Sequence, residues 1–467
     1  MQEIILDDDV VNLSKDNLTP NPKNVKKVTN AWCMYDWANS VFPLTITSAI
    51  FPIYWSSQTP KNVEILGTIL EHSTLYNYCL SFAFLIIALI NPILSGIADS
   101  AGNKKSFMAA FVVIGCIGCF GLSFFDSQHI GIGVLAFIIG TIGYAGSIVF
   151  YNAYLPEIAT NDQYDRISAK GFSMGYIGAV ILLVLNLLII LKPEILFDVQ
   201  SKVDSILQEQ IGLSEKLALK QAKAFYAGSA SRLAFFTVGI WWLGFSMIPF
   251  YYLPKNRLKN STISITKGYH ELMKVFKQVR NSGAIKKYLG AFFFISMGVQ
   301  TVMYVAGLFG VEELKLPSEN LIATILIIQL VAVLGAYLFS LFSKKFGNIN
   351  ALLTLVGIWI LVCFAAFFVY SVNEFYALAG AVGMIMGGVQ SLARSTYAKI
   401  IPQNTLDTAS YFSFYEFTEK VAIVIGTFSF GFINQIMHSM RYSIVSLVVF
   451  FVVGFIFLLS CRVKARV

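Results

Sequence analysis

Charge is scarce in this 467-residue chain: Asp, Glu, Lys and Arg make up 13% of it, against 56% apolar residues. Soluble domains carry about 25% charge, so much of this chain faces something other than water. Histidine is rarer still. The four, His72, His129, His270 and His438, fall in loops or at the ends of apolar runs without metal-ligand spacing, so no metal and no cofactor is expected. The six cysteines, Cys33, Cys79, Cys116, Cys119, Cys363 and Cys461, lie in or beside apolar runs, where a thiol acts as a small apolar side chain. Cys116 and Cys119 have the spacing of a redox pair but no thioredoxin-like surroundings. A Gly-x-x-x-x-Gly-Lys-Ser/Thr loop is missing, which excludes nucleotide hydrolysis by that route. The first 30 residues hold no apolar core of a secretory signal; with Asp7, Asp8 and Asp9 ahead of Lys15, Lys23, Lys26 and Lys27, residues 1–31 read as a cytoplasmic tail.

Long apolar runs are what the chain has in abundance. Windows of about 20 residues, enough to cross roughly 30 Å of hydrocarbon, give twelve spans: 32–55, 74–98, 106–125, 130–152, 171–191, 232–253, 286–311, 319–343, 349–370, 374–399, 413–437 and 440–461. In lipid each must satisfy its own backbone polar groups, which makes them helices. The expected fold is therefore an all-α membrane protein with twelve transmembrane helices in two six-helix bundles. The polar segment 254–285 separates a bundle at 32–253 from one at 286–461, followed by a tail at 462–467. Segment 192–231 reads as an outer loop; its Leu, Ile and Val residues among Glu, Gln and Lys predict one or two amphipathic helices.

The halves are weakly alike. Tyr151 and Pro156 close the fourth span as Tyr397 and Pro402 close the tenth. Asp165, Ser168 and Phe172 then match Asp407, Ser410 and Phe414 after a four-residue deletion, and Gly102-Asn103 matches Gly347-Asn348. Two related halves are the construction of transporters that rock about a midplane site.

The net charge of +8 would usually point to nucleic acid, but its placement does not. With the N-terminus inside, 24 of the 34 Lys and Arg fall on the cytoplasmic side, 9 on the other, and one, Lys420, within a span. The largest cluster is Lys255, Arg257, Lys259, Lys267, Lys274, Lys277, Arg280, Lys286 and Lys287, between spans 6 and 7. This is the positive-inside bias; it predicts cytoplasmic termini and basic loops facing anionic headgroups. The expected partners are a bilayer and a small-molecule solute, not nucleic acid, and the chain is expected to act as a monomer.

Between spans 2 and 3 the chain reads Gly96-Ile-Ala-Asp99-Ser-Ala-Gly102-Asn-Lys104-Lys105. Here Gly96 is expected to end a helix, Asp99 to sit at the membrane edge, Gly102 to turn the chain, and Lys104 and Lys105 to meet headgroups. The stretch resembles the signature loop of the major facilitator superfamily. Three more narrow the likeness: Trp32-Cys-Met-Tyr35-Asp36-Trp37-Ala-Asn39-Ser40; Tyr151-Asn152-Ala-Tyr154-Leu-Pro156-Glu157 with Gly171, Gly175 and Gly178; and Gly387-Gly388-Val-Gln390-Ser391-Leu-Ala-Arg394-Ser395. They resemble the vacuole-effluxer branch, the autophagy-related amino-acid exporters and their bacterial relatives. The resemblance implies the major facilitator fold, a cavity between the bundles, alternating access, and amino-acid export as one expectation. The membrane would be that of a bacterial cell or of a eukaryotic vacuole. It also implies that Asp99 braces span 2 against span 11. Aligning Gly347 with Gly102 puts Lys344 where the first half has Asp99, so the second loop lacks this acid.

An ionisable group inside a span costs about 2.5–3.5 kcal/mol at the helix centre. Five stand out, all read as lying toward cytoplasmic helix ends: Asp36, Arg394, Glu416, Glu419 and Lys420. With Asn152 they are the expected cytoplasmic gate or coupling site, and a proton on Asp36, Glu416 or Glu419 is the candidate coupled ion. Ordinary accounts compete. Glu416 and Lys420 have the spacing of a local helix pair, Asp36 could complement a helix dipole, and Arg394 could snorkel to headgroups. Asn39, Tyr144, Gln300, Tyr304 and Gln390 are the expected substrate cavity, with Gln300 and Tyr304 on one helix face. Its uncharged centre would suit a neutral or zwitterionic solute with an apolar side chain. The expected function is a secondary active transporter moving such a solute by alternating access; a facilitator or drug-type exporter of an unrelated substrate, and a transport-inactive receptor or scaffold with the same fold, are the alternatives. An enzyme is not expected, because no span is read as carrying His or paired carboxylates at its centre.

Overall fold

The computed structural model describes residues 22–461 except 66, 211, 255–263 and 438. The outer parts of both tails, His438, and Lys255, Arg257 and Lys259 of the basic cluster thus lie outside the described residues. The apolar runs form helices, as lipid requires. Among the described residues, eleven helical stretches are long and apolar enough to cross a membrane. The first crossing differs from the expected single helix. It is assembled from α1 (Lys26–Asn39), a π-helical stretch Phe42–Ala49 and α2 (Ile50–Gln58). Pro43 and Pro52 each remove a backbone donor within that run, and the wider turns between them accommodate the loss. Thr47 Oγ1 donates to the Pro43 carbonyl at 2.6 Å.

The remaining elements are β1 (Asn62–Ile65) and β2 (Thr68–Glu71), α3 (His72–Ala101), α4 (Lys104–Leu122), α5 (Ile130–Ala153), α6 (Leu155–Ile158), α7 (Tyr164–Leu191), α8 (Val199–Glu209) and α9 (Glu215–Tyr252). After the linker helix α10 (Ile265–Asn281) come α11 (Gly283–Glu312), α12 (Ser318–Phe346), α13 (Asn348–Phe367), α14 (Val372–Ile400), α15 (Thr408–Met437), α16 (Met440–Ser446) and α17 (Val448–Ser460). The β1–β2 hairpin is antiparallel and was not expected from the sequence. Much of the expected outer loop is helix: α9 runs 38 residues, well beyond the predicted sixth span. The short α8 packs on it through Val203, Ile206, Ala218 and Ala222.

Packing inside each half relies on small residues that let helix backbones touch, the usual device where lipid offers no hydrophobic drive. A Cβ on Gly118 of α4 would lie 2.3 Å from the Gly140 nitrogen of α5, and one on Gly387 of α14 would lie 2.1 Å from the Ala332 carbonyl of α12. The halves meet where α3 and α5 face α15, and where α7 faces α12 and α14. Helix α10 lies across this seam, against α3 of the first half and α15 and α11 of the second. Its approach corrects the role expected of Gly96. Helix α3 continues to Ala101 and ends at Gly102, which is left-handed at φ 64°. A Cβ on Gly96 would sit 2.2 Å from the Gly268 carbonyl of α10, so Gly96 is the point where the linker helix crosses.

Candidate functional site

A cavity of about 230 Å³ lies between the halves. Asn39, Tyr144, Gln300, Tyr304 and Gln390 line it, and so do Asp36, Asn152, Arg394, Glu416, Glu419 and Lys420. Residues expected in two separate places, cavity and gate, therefore border one space. The π-helical turns of the first crossing contribute Pro43, Leu44, Thr47 and Ser48.

The centre of this cavity is charged, contrary to expectation. Helix α15 begins at Thr408, five residues before the predicted span, so Glu416 and Lys420 lie 8 and 12 residues in, or roughly 12–18 Å along the axis. That is well inside the helix rather than at its end, and it places paired carboxylates on the cavity wall. Lys420 Nζ is 3.2 Å from Glu416 Oε2 and also bonds Glu419 Oε2. Gln300 Nε2 donates to Glu419 Oε1 at 3.0 Å. From the other half, Asn152 Nδ2 donates to Glu416 Oε1 at 2.8 Å. The local pair of Glu416 with Lys420 does form, and Glu416 crosses the seam as well.

On the cavity floor Arg394 Nη2 meets Asp36 Oδ2 at 3.1 Å. Tyr151 OH donates to the same oxygen at 2.7 Å. Three more guanidinium donors are taken by the first half: Nε by Ser168 Oγ at 2.9 Å, Nη1 by Asn152 Oδ1 at 3.3 Å, and Nη2 also by the Ser168 carbonyl at 3.0 Å. Phe172 and Trp32 cover its faces, 4.1 and 4.7 Å from the ring centroids. Arg394 is 3% exposed, so it does not snorkel. Asp36 is the eleventh residue of α1, too far from the N-terminus to complement a dipole that acts within the first turn. The sequence reading passed over Ser168 and the glycines as site residues. A Cβ on Gly171 would be 2.4 Å from Asp36 Oδ2, and one on Gly175 would be 2.4 Å from Ser40 Oγ. Their spacing along α7 was the available signal.

A second layer of contacts joins the halves on the side of the signature loop. Asp99 accepts from the Ala409 and Ser410 backbone N–H groups at 3.2 and 2.7 Å, capping the first turn of α15 from outside the helix. Lys104 does not meet headgroups. It is buried, 3.1 Å from Asp99, and donates to Glu157, Thr408 Oγ1 and the Leu406 carbonyl. Lys105 donates to the Leu253 carbonyl at 3.0 Å. A second seal is built on Asp165, also of the first half, which the sequence marked only as part of the repeat. In the first turn of α7, Asp165 accepts from Asn348 Nδ2 at 2.7 Å, Ser343 Oγ at 3.1 Å and Lys399 Nζ at 2.6 Å. The two seals are related with the acid exchanged: Asp99 reaches from the last turn of α3 to the start of α15, and Asp165 reaches from the start of α7 to the ends of α12 and α14 and the start of α13. Position 344 therefore needs no acid. With these bonds in place, the cavity is sealed from the signature-loop side.

The vacuole effluxer Atg22-like family matches residues 24–466. The MFS-type transporter YxiO of Bacillus subtilis (strain 168) is 28% identical over 439 residues, covering 93% of this chain and 95% of that protein. Autophagy-related protein 22 of Kluyveromyces lactis is 26% identical over 417 residues, covering 81% and 77%. Among solved structures, the major facilitator transporter FucP in its outward conformation superposes with a TM-score of 0.66 at 13% identity, covering 94% of this chain and 99% of that one. The proton:xylose symporter XylE gives 0.61 at 14% identity, covering 93% and 94%. These two likenesses establish the fold alone. The family match spans both bundles, the cavity and both seals, and the chain is a membrane transporter of the vacuole effluxer Atg22-like family, built on the major facilitator fold.

Proposed function

We propose that this protein is a secondary transporter that exports a small zwitterionic solute with an apolar side chain, amino acids foremost, by alternating access to the central cavity. The observation that carries this reading is the lining of that cavity: aromatic Tyr144, Tyr304, Phe84 and Phe292 stand beside Glu419, Lys420 and Gln300. At about 230 Å³ it is smaller than the roughly 300–1,000 Å³ pockets of drug-sized ligands. The description of the family as vacuole effluxers supports efflux, and the 24-to-9 division of Lys and Arg supports placing the sealed side and both termini in the cytoplasm. The cavity is complete within one chain, which favours a working monomer. Asp99, Asp165 and the Asp36–Arg394 pair act as gate contacts. The test is counterflow in proteoliposomes with labelled leucine against unlabelled amino acids. Exchange above protein-free vesicles is expected; no flux with any amino acid, from protein that is folded and inserted, overturns the assignment.

A further inference from the structure

Five charged side chains line the cavity: Asp36, Glu416 and Glu419, against Arg394 and Lys420. Three negative and two positive charges leave one carboxylate without a counter-charge, at a depth where an unpaired ion is expensive. The surplus can be located. Arg394 and Asp36 satisfy each other. Lys420 stands between both glutamates, bonded to each, and one ammonium neutralises only one of them. The other oxygens of the glutamates receive neutral amide donors, Gln300 Nε2 and Asn152 Nδ2. The groups facing the pair from the surrounding helices, Tyr304 on α11, Tyr144 on α5 and Phe84 on α3, add no charge that would balance it at neutral pH.

We infer that Glu416 and Glu419 form a site for one exchangeable cation, occupied by a proton at rest and by the ammonium group of an amine-bearing solute during transport. This rests on the reading of the cavity as the solute site and narrows its substrate class. The solute's amine is its anchor, and its carboxylate is not. Four of the five guanidinium N–H groups of Arg394 are already bonded to Asp36, Asn152 or Ser168, and Lys420 stands between two carboxylates, so both cations already have a counter-charge and an incoming acid would have to compete for it. The step is a proton displacement. The protonated carboxyl loses its O–H proton to solvent as the solute's ammonium docks on the resulting carboxylate, and one positive charge replaces another. Binding and protonation then exclude each other, and by reciprocity each weakens the other by the same factor. A transporter so built exchanges solute for proton.

The test is isothermal titration calorimetry on the full chain in detergent between pH 5 and 9, in two buffers of different ionisation heat. The probes are 3-methylbutylamine, leucine and 4-methylpentanoate. We expect the amine and leucine to bind with release of up to about one proton each, and affinity to fall about tenfold per unit of pH once the site is protonated. The carboxylic acid should bind at least about tenfold more weakly than the amine. Glu419→Gln should abolish proton release and weaken amine binding at least tenfold; Glu416→Gln serves if that protein fails to fold. Binding of 4-methylpentanoate as tightly as the amine, or amine binding without proton release at any pH, overturns the inference while leaving a solute cavity in place. Infrared titration of the ligand-free protein separates the two readings. A protonated carboxyl that disappears in Glu419→Gln or Glu416→Gln, in protein that binds none of the probes, upholds the cation site and refutes the amino-acid assignment. The absence of any such carboxyl refutes the cation site itself.

Discussion

Arg394 shows how single residues were legible in this chain. An arginine inside an apolar span is rare enough to be noticed without a structure, and so was Asp36. Their distance of 3.1 Å across the seam belongs to the fold, since 358 positions separate them. Asp165 escaped notice for the opposite reason: it precedes the predicted fifth span, where a carboxylate is ordinary. Glu416, Glu419 and Lys420 lie farther along their helix than the sequence suggests, because the polar first turn of α15 resembles a loop. Breaking a buried pair by removing one partner typically costs about 3–5 kcal/mol. The seam contact should therefore hold the cavity shut on the signature-loop side. Asp36→Asn and Arg394→Gln should each shift the population toward opening on that side, and Asp36→Arg with Arg394→Asp should restore part of the balance. A double-mutant cycle on state populations, read by spin-label distances, checks this. Strict additivity, with coupling below about 0.5 kcal/mol, would show that the two do not act on each other.

Helix α10 is the element on which charge and periodicity gave conflicting signals. Its density of lysine read as a cytoplasmic loop, yet Gly268, Leu272, Val275 and Val279 recur at helical spacing and are the residues it buries. It grips the two halves differently. Against α3 the contact is backbone on backbone at Gly96 and Gly268, with little room to give. Against α15 and the residue before it the contact is side chain on side chain: Lys274 Nζ lies 3.2 Å from Asp407 Oδ2, Tyr411 OH donates to Gln278 Oε1 at 2.6 Å, and the Phe276 and Phe414 rings stand 6.1 Å apart. When the halves part, α10 should stay with α3 and let α15 go. Burial pushes the Asp407 carboxyl up to about 7, with the nearby negative charges of Asp99 and Glu271 acting in the same direction. The sign follows. The sealed state holds the Asp407 proton more tightly than a state in which this carboxyl is solvated near 3.8, so the seal is strongest at low pH. It weakens as pH rises through about 4 to 7 and is constant above that. Asp407→Asn should flatten this part of the pH dependence of the state populations. A slope unchanged in the variant would assign the titration to another group.

At the scale of the whole molecule, the two-bundle plan was readable because lipid leaves so few options for long apolar runs. The broken first crossing, the hairpin and the length of α9 were not, since each departs locally from that rule. Orientation remains an electrostatic argument, and it has a direct check. All six native cysteines are buried, so background labelling should be low. A cysteine placed at Ser214, ahead of α9, should react with an impermeant thiol reagent in intact cells, and one at Ser264, ahead of α10, should not; the reverse pattern would invert the topology.

The two acid seals offer a test of whether the halves rock as rigid bodies. Asp99 ties the last turn of α3 to the start of α15, and Asp165 ties the start of α7 to the start of α13 and the end of α14 in the second half. They use different residues on different helix pairs, so nothing local obliges them to respond alike. If each half moves as one body, both seals open in the same step, and both must bias the same equilibrium in the same direction. Asp99→Asn and Asp165→Asn should then each favour the state open on the signature-loop side. Solute affinity measured within either state should stay within about tenfold, or 1.4 kcal/mol, because neither residue lines the cavity. The double variant should shift the populations by the sum of the two effects to within about 0.5 kcal/mol, as expected of separate contacts broken in one transition. Spin labels across α3–α15 and α7–α12 report the two seams independently. If Asp165→Asn opened the α7–α12 seam while the α3–α15 seam stayed closed, the halves would be flexing internally, and rigid rocking about the cavity would be wrong for this transporter.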